Sequence, residues 1–282
     1  MLEDTPAIGW SPRIAVITNL FANHLDRHDT LEGYSAAKQN ILRFQKPSDV
    51  AIFNDDHDLV SRWPPLARGQ VLKFSTRGSA TPKLPLLIPG EHNQSNAQAT
   101  LAVLQTLYSR RIPLNIEAAI HAITRFPGLS HRLQLIHTLN LKTTPPRSLQ
   151  FYNDSKATSP DASITALNAF EPRTAIFLVG GYDKHIDMLA FENLLAQRAG
   201  AVIGLGATGQ AIVDNVKQAS ALPETHVAYV GTLEAALPLA KTLALTTSAL
   251  TAVVLSPASA SWDQFPNYEK RGELFIQIAK SL

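Results

Sequence analysis

The sequence predicts an α/β protein of two domains, the second of which is built around a mostly parallel sheet. The chain has 282 residues, of which 45% are apolar, and this suffices for two hydrophobic cores at about 150 residues per domain. From about residue 130 onward, short apolar runs alternate with helix-like segments, as in parallel strands joined by crossover helices. Arg125-Phe126-Pro127-Gly128 contains both Pro and Gly and is the predicted boundary.

The strands predicted in the second half are short apolar runs, each followed by a turn. They are Leu149 to Tyr152, Thr174 to Val179, Ala199 to Ile203, His226 to Val230 and Ala252 to Leu255. Ser159 is the predicted N-cap of the helix after the first strand, because Pro160 suits the first helical position and Asp161 the first turn. Pro238 interrupts a helical pattern, so that helix is predicted to kink or to start later.

The first half is less regular. Arg13 to Asn19 and Val50 to Phe53 are predicted strands, and Thr30 to Phe44 and Asn96 to Tyr108 are predicted helices. The first strand comes early for an α/β domain. We therefore expect a strand and a helix to be missing in front of it.

Charge and composition exclude several classes of function. The 25 Lys and Arg residues exceed the 23 Asp and Glu residues by only +2, which argues against sequence-independent binding to nucleic acid or to an anionic membrane. The start Met1-Leu2-Glu3-Asp4 lacks a basic leader, and no apolar run is long enough to span a bilayer. We expect a soluble cytoplasmic protein. With no Cys, catalysis and metal binding must use His, Lys, Ser, Thr and carboxylates.

A cluster of His, Asp and Arg follows the first predicted strand. Asn23-His24-Leu25-Asp26-Arg27-His28 would lie at a carboxyl strand end, where α/β proteins place ligand-binding groups, although a solvated polar loop also fits the spacing. In the next helix Lys38 falls near the middle of the apolar stripe of Leu31, Tyr34 and Ile41. An inward ammonium either extends its stem to water or is paired or modified.

Two amide side chains precede the Ala-rich helix of the first half. Asn93 and Asn96 are three residues apart and can point the same way. An amide offers the donor and the acceptor that a base edge requires, and helix capping is the alternative role.

The strongest cluster is spread over three loops of the second half, at residues 153–158, 180–184 and 256–263. The carboxyl ends of parallel strands share one edge, so Lys156, Thr158, Lys184 and Ser261 are predicted to converge there. Two lysines, hydroxyl groups and helix N-terminal amides would form an anion site. Taken singly, each lysine is equally compatible with a solvated surface position.

Gly204-Leu205-Gly206-Ala207-Thr208-Gly209 matches the dinucleotide-binding pattern G-x-G-x-x-G. However, no acid ends the following strand, His226 to Val230, to bind a ribose, and the motif does not open the sheet order. We therefore do not expect nicotinamide binding, and an oxidoreductase with measurable NAD affinity remains the alternative.

Seven ordered motifs resemble those of the Mur ligases of peptidoglycan synthesis, most closely the branch that adds D-glutamate to UDP-N-acetylmuramoyl-L-alanine. The motifs are Thr18-Asn19 through His24-Leu25-Asp26-Arg27, Tyr34-x-x-Ala37-Lys38, Gly90-x-His92-Asn93-x-x-Asn96, Phe126-x-Gly128-Leu129-x-His131-Arg132, Asn153-Asp154-Ser155-Lys156-Ala157-Thr158, Gly180-Gly181-x-x-Lys184, and Ser256-Pro257-Ala258-x-Ala260-Ser261-x-Asp263-x-Phe265. The resemblance implies an incomplete P-loop-type ATPase central domain at residues 1–128 and a Rossmann-like, doubly wound C-terminal domain at residues 129–282.

The resemblance also implies a reaction and residue roles. ATP would phosphorylate the terminal carboxylate of UDP-N-acetylmuramoyl-L-alanine, and the amine of D-glutamate would displace phosphate. His24 and a carbamylated Lys38 would form the Mg²⁺ site, with Lys156 as a further catalytic residue. Nucleotide binding would fall to Asn93, Asn96, Arg132 and Asp154, and D-glutamate binding to Thr158, Lys184, Ser261, Trp262 and Tyr268.

The sequence departs from the family at the phosphate-binding loop, because it contains neither Gly-Lys-Thr nor Gly-Lys-Ser. The domain that holds the UDP group in the family has no counterpart here. We expect a monomeric chain of ligase type that is inactive on its own. The alternative is a non-catalytic remnant that binds nucleotide or D-glutamate.

Overall fold

The computed structural model describes residues 2–20, 30–77, 83–219, 222–223 and 226–282. The chain forms two compact units. The first contains the described residues up to Leu86 together with Glu91–Arg125, and the second contains Leu87–Gly90 and Phe126–Leu282. Both units combine helices with sheets that are parallel or mostly parallel, so the predicted α/β class is confirmed.

The sheet of the first unit consists of parallel strands in the order β1-β2-β3. These strands are β1 (Ile14–Ile17), β2 (Val50–Asn54) and β3 (Gln70–Phe74). The helices are α1 (Thr5–Ile8), α2 (Leu31–Arg43), α3 (Glu91–Ser109) and α4 (Ile116–Arg125), with 3₁₀ turns at Val60–Arg62 and Pro64–Leu66. Every residue of β2 is buried, as expected for a central parallel strand with both faces covered.

The second unit contains a mostly parallel sheet in the order β4-β5-β9-β6-β7-β8. Its strands are β4 (Gln134–Leu141), β5 (Arg147–Asn153), β6 (Ala175–Val179), β7 (Ala201–Leu205), β8 (Val227–Gly231) and β9 (Ala252–Leu255). Only the edge pair β4–β5 is antiparallel among the described residues. The helices are α5 (Pro160–Asn168), α6 (Leu189–Arg198), α7 (Gly206–Ala219), α8 (Leu233–Thr246) and α9 (Tyr268–Ser281).

The helices of the second unit cover both faces of its sheet. Residues such as Leu167, Phe191 and Val213 place α5, α6 and α7 in the core of one face. Leu237 and Phe275 place α8 and α9 in the core of the other face. The second unit is therefore doubly wound, as predicted.

Several predicted boundaries are wrong for identifiable reasons. The strand predicted from Ala199 begins at Ala201, because Ala199 still ends α6 and its N–H donates to the carbonyl of Leu195. The helix predicted from Asn96 begins at Glu91, directly after Gly90 with its φ of 105°. The division after Arg125 falls within the predicted boundary segment Arg125 to Gly128, whereas nothing in the sequence indicated that residues 87–90 belong with the second unit.

Helix α8 does not begin after Pro238, so the predicted later start is wrong. It begins at Leu233 and contains Pro238 in its interior. The first turn of α8 lies before Pro238 and is intact, since Ala236 N–H donates to the carbonyl of Thr232. No helix within the described ranges is long and apolar enough to cross a membrane.

Pro238→Ala should stabilise the second unit by about 1–2 kcal/mol. Pro238 is exposed, so little packing is lost, and the alanine N–H can donate to the carbonyl of Glu234. Urea unfolding monitored by circular dichroism would measure the gain. Pro160→Ala is the comparison variant. Pro160 occupies the first turn of α5, where an N–H has no helical acceptor, and it is buried, so alanine should give no gain there. A lower midpoint for Pro238→Ala would contradict the prediction.

Candidate active site

The candidate site lies at the carboxyl ends of β5, β9 and β6. The chain passes from β5 to β6 through α5, on the face that also carries α6 and α7, and returns from β8 to β9 through α8 on the opposite face. The winding therefore reverses at β9, which lies between β5 and β6. Open α/β sheets bind ligands at such a reversal, outside the carboxyl ends of the strands.

Left-handed backbone conformations are frequent at this edge. Non-glycine residues with positive φ include His131 at 61°, Leu133 at 42° and Ala258 at 58°, although two others, Arg111 and Arg173, lie elsewhere. Such conformations are unfavourable for residues with a Cβ and tend to cluster at ligand sites. The backbone geometry thus points to the same edge as the topology.

The buried side chain of Arg271, 3% exposed, joins the loops that follow β5 and β9. Its guanidinium donates to the carbonyl oxygens of Ser155 at 2.9 Å, Ser259 at 3.1 Å and Ala260 at 3.2 Å, and its Nε donates to Ser155 Oγ at 3.0 Å. Burial lowers the pKa of Arg271 to about 10, and the carboxylate of Asp263 opposes that shift. The group therefore stays charged at neutral pH and fixes two loops to each other.

Asp154 joins the start of β4 to the ends of β5 and β9. Its Oδ1 accepts the N–H of Leu133 at 3.0 Å and its Oδ2 accepts the hydroxyl of Ser256 at 2.8 Å. Burial raises the pKa of Asp154 to about 7, although both hydrogen bonds and the charge of Arg132 act in the opposite direction. The carboxylate predicted to face the nucleotide thus has partners inside the unit on both oxygens.

Asn153 and His131 form a second polar contact beside Asp154. The amide nitrogen of Asn153 lies 3.1 Å from His131 Nδ1 and donates to the carbonyl of Gly272 at 3.2 Å. Because the amide nitrogen can only donate, His131 Nδ1 is the acceptor in this contact. A Cβ at position 272 would lie 2.2 Å from His131 Nδ1, so α9 requires glycine there.

The two predicted lysines lie on separate loops, and each is close to an aromatic ring. Lys184 Nζ lies 5.3 Å from the ring centre of Trp262, which is 62% exposed, and Lys156 Nζ lies 5.5 Å from that of Tyr268. A second ring, Tyr182, lies 5.5 Å from Trp262. Both ammonium groups remain exposed to solvent and gain a cation–π contact.

The loops that carry Lys184 and Ser261 are paired through their backbones. Tyr182 N–H donates to the carbonyl of Ala260 at 2.9 Å, and Gly180 N–H donates to that of Pro257 at 2.8 Å. Ser261 is 2% exposed, and its carbonyl accepts the N–H groups of two following residues. Together with Arg271, these contacts place the three predicted loops side by side.

The remaining predicted residues of the second unit lie close by. Thr158 is half-buried just before α5, and its N–H donates to the carbonyl of Lys156 at 2.9 Å. Arg132 is exposed between His131 and Leu133. Both flank the loop that follows β5.

The other predicted residues belong to the first unit and form a separate set. Lys38 is half-buried on α2, with its Nζ 5.2 Å from the ring centre of Tyr34. Asn93 and Asn96 lie in the first two turns of α3, where Asn96 is exposed and Asn93 half-buried. His24 lies outside the described residues. Within the described part of the chain, no group of three or more His, Asp or Glu side chains could hold a metal ion. The predicted magnesium pair, His24 and a carbamylated Lys38, includes a residue outside that part.

Comparison of the chain with known proteins points to one protein family. Residues 3–86 match the Mur ligase middle domain. UDP-N-acetylmuramoylalanine–D-glutamate ligase from Acetivibrio thermocellus is 31% identical, over 96% of this chain and 60% of its own length. The ligase of the same name from Bacillus subtilis is 34% identical, over 96% of this chain and 60% of its own length.

The chain belongs to the Mur ligase family. It spans about 60% of the length of these curated relatives. Among solved structures, MurF from Acinetobacter baumannii aligns with a TM-score of 0.62 at 18% identity, covering 95% of this chain and 60% of that one. MurF from Thermotoga maritima in complex with ADP aligns with a TM-score of 0.56 at 16% identity, covering 96% and 63%. At these identities, the structural likeness shows the fold.

Sequence reasoning missed the role of three residues that hold the loops together. Arg271 was not among the candidates, Asp263 stood in the last motif without a role, and Thr208 appeared only in the Gly204–Gly209 segment. Arg271 and Thr208 bond to the backbone of loops at the site, and Asp263 accepts the N–H of Ala207. One signal was available for Arg271: it precedes the buried residues Phe275 and Ala279 at intervals of four along α9, which places it on the inward stripe of that helix.

Asp154→Asn should remove a pH dependence of stability. The pKa of the Asp154 carboxyl is about 7 in the folded protein, against 3.8 for an unperturbed aspartate, which represents the unfolded chain. Between pH 4 and pH 7 the carboxyl therefore holds a proton in the folded state that it has lost in the unfolded state. The stability of the wild type relative to the variant should therefore be greatest below pH 4 and decline as pH rises through 7. The expected loss between pH 5 and pH 8 is on the order of 2–3 kcal/mol.

Urea unfolding of both proteins at pH 5 and pH 8 measures this difference. Asp161→Asn is the matched control, because Asp161 is an exposed carboxylate in the first turn of α5. A wild-type-minus-variant difference that is the same at both pH values would show that the Asp154 carboxyl does not bind a proton on folding.

Proposed function

We propose that this chain is part of an ATP-dependent ligase that joins D-glutamate to UDP-N-acetylmuramoyl-L-alanine in peptidoglycan synthesis. The observation that carries the proposal is the match to ligases of that name across 96% of the chain. The site of the second unit supports it, because two exposed lysines and hydroxyl-bearing loops meet at the sheet's point of reversal. The proposal includes that the chain acts in the cytoplasm and that it acts as a monomer.

The second unit suits a small dianion such as D-glutamate. Lys184 would neutralise one carboxylate, while Thr158 and Ser261 would donate hydrogen bonds. Trp262 and Tyr268 carry the rings beside the two lysines and would limit how far each ammonium can move. The incoming amine would then be held at a fixed place relative to the edge of the sheet.

The remaining charged and amide groups suit the nucleotide. Lys156 and Arg132 are exposed cations on segments that flank Asp154, and a cation near a transferring phosphoryl group stabilises its developing charge. Asn93 and Asn96 would meet the base. Asp154 would act mainly through the loops that it holds, because both of its oxygens already accept hydrogen bonds.

The proposed chemistry has two steps. The terminal carboxylate of the muramoyl nucleotide attacks the γ-phosphorus of ATP, and ADP leaves. The D-glutamate amine then attacks the acyl carbon, and phosphate leaves with formation of the amide. In both steps the chain's own residues position the reactants and neutralise charge.

The proposal includes Mg²⁺, which His24 and Lys38 would bind. A carbamate on Lys38 would replace a cation by oxygen atoms, which are the ligands that Mg²⁺ prefers. The described residues do not by themselves supply a metal-binding cluster. We therefore assign no step to the metal.

The 282-residue chain alone is expected to release no phosphate above background. The sequence contains no Gly-Lys-Thr or Gly-Lys-Ser, so the chain lacks the amides and the lysine that surround the β- and γ-phosphates in P-loop enzymes. Phosphate release would be assayed with the muramoyl nucleotide, D-glutamate, ATP and Mg²⁺. Robust turnover would contradict this expectation, and D-glutamate binding without turnover is the expected result for the chain on its own.

Lys184→Ala should weaken D-glutamate binding by about tenfold or more, because a charge-assisted contact is lost. Isothermal titration calorimetry of the full chain with D-glutamate measures the affinity. Lys280→Ala is the matched control, since Lys280 is an exposed lysine in the last turn of α9. Equal affinity in Lys184→Ala and wild type would remove Lys184 from the site.

A further inference from the structure

The Gly204–Gly209 motif has no role in the proposed function, yet it forms the start of α7 at the site. Gly204 and Gly209 are packing glycines, because a Cβ on Gly204 would lie 2.5 Å from the carbonyl oxygen of Gly209. Gly206 has a φ of 57°, and a Cβ there would lie 2.1 Å from Asp263 Oδ2. The glycines thus allow a carboxylate from another loop to approach the helix start.

Asp263 occupies the N-terminus of α7. Its Oδ2 accepts the N–H of Ala207 at 3.0 Å. The first N–H groups of a helix lack helical acceptors and favour a negative charge. In dinucleotide-binding proteins a phosphate takes this position, and here a carboxylate from the loop after β9 takes it.

Thr208 binds the two loops that flank α7. Its N–H donates to the carbonyl of Gly181 at 3.0 Å, and Gly181 N–H donates to Thr208 Oγ1 at 3.1 Å. The same hydroxyl lies 3.1 Å from Ser259 Oγ. One side chain therefore contacts the loop that carries Lys184 and the loop that carries Ser261.

We infer that the first turn of α7 positions these two loops for the acceptor amino acid, with Thr208 and Asp263 as positioning residues. We call Gly206, Ala207, Thr208 and Asp263 the α7 clamp. The inference takes the identity of the ligand, D-glutamate, from the proposed function. The contacts of the α7 clamp do not depend on that function. The dinucleotide-like motif thus holds the loops of the site in place. Two of its backbone N–H groups already have acceptors in the chain: Ala207 donates to Asp263 and Thr208 donates to Gly181.

Thr208→Val tests the α7 clamp, because valine keeps the shape and the backbone N–H but removes the hydroxyl. Thr208→Ser restores the hydroxyl and is the rescue variant. Thr165→Val is the control, since the Thr165 hydroxyl bonds only within α5, to the carbonyl of Asp161. Hydrogen–deuterium exchange of residues 179–184 and 256–264 reports loop order, and calorimetry with D-glutamate reports binding.

In Thr208→Val, exchange in both segments should rise and D-glutamate affinity should fall by about tenfold, the size expected when the hydrogen bonds of a half-buried hydroxyl are lost. Thr208→Ser and Thr165→Val should match the wild type in both measurements. Asp263→Asn keeps an acceptor but loses the charge, so it should fall between the wild type and Thr208→Val.

Unchanged exchange in Thr208→Val would overturn the α7 clamp. Faster exchange with unchanged D-glutamate affinity would overturn its link to the site. If the wild-type chain does not bind D-glutamate, the proposed function fails, and the exchange data alone decide whether Thr208 positions the loops.

Discussion

The second unit depends on the buried guanidinium of Arg271. A buried charge is unfavourable unless its donors find acceptors and a counter-charge lies nearby. Arg271 meets this requirement with carbonyl oxygens from two loops, and the carboxylate of Asp263 supplies the negative charge. Because the buried guanidinium would lose acceptors if either loop moved away from α9, both loops are held against that helix.

The polar groups at the sheet edge divide into an inner and an outer set. Arg271, Asp154 and Thr208 contact the backbone of the loops. Lys156 and Lys184 lie outside that layer and face solvent beside aromatic rings. A site that must bind a charged ligand gains from such an arrangement, because the residues that meet the ligand pay little ordering entropy when their supporting loops are already fixed.

The sequence was informative where local pattern determines structure. Central parallel strands such as Ala175–Val179 are buried on both faces, and their continuous apolar runs made them predictable. Strand β4 was missed because it is an antiparallel edge strand that contains Gln134, His137 and Asn140, so no apolar run marks it. The loops with Lys184 and Ser261 could be placed at one edge from the parallel topology alone.

The residues that fix these loops could not be found in the same way. Arg271 bonds to Ser155, 116 positions earlier, and Thr208 bonds to Gly181, 27 positions earlier. Contacts of that range follow from the order of the strands, which a single sequence does not state. Only the helical position of Arg271, in register with Phe275, gave a local indication that its side chain points inward.

The Gly204–Gly209 segment shows why a short motif does not determine a ligand. Its glycines allow a close approach between helix and strand, and this geometric requirement is the same whether the helix start meets a phosphate or a carboxylate from its own chain. What distinguishes the two cases is a residue more than fifty positions later, Asp263, which bonds to the Ala207 amide. A dinucleotide phosphate would have to displace that carboxylate from the Ala207 amide. The chemistry of the motif is therefore set by the loop after β9, which also carries Ser261.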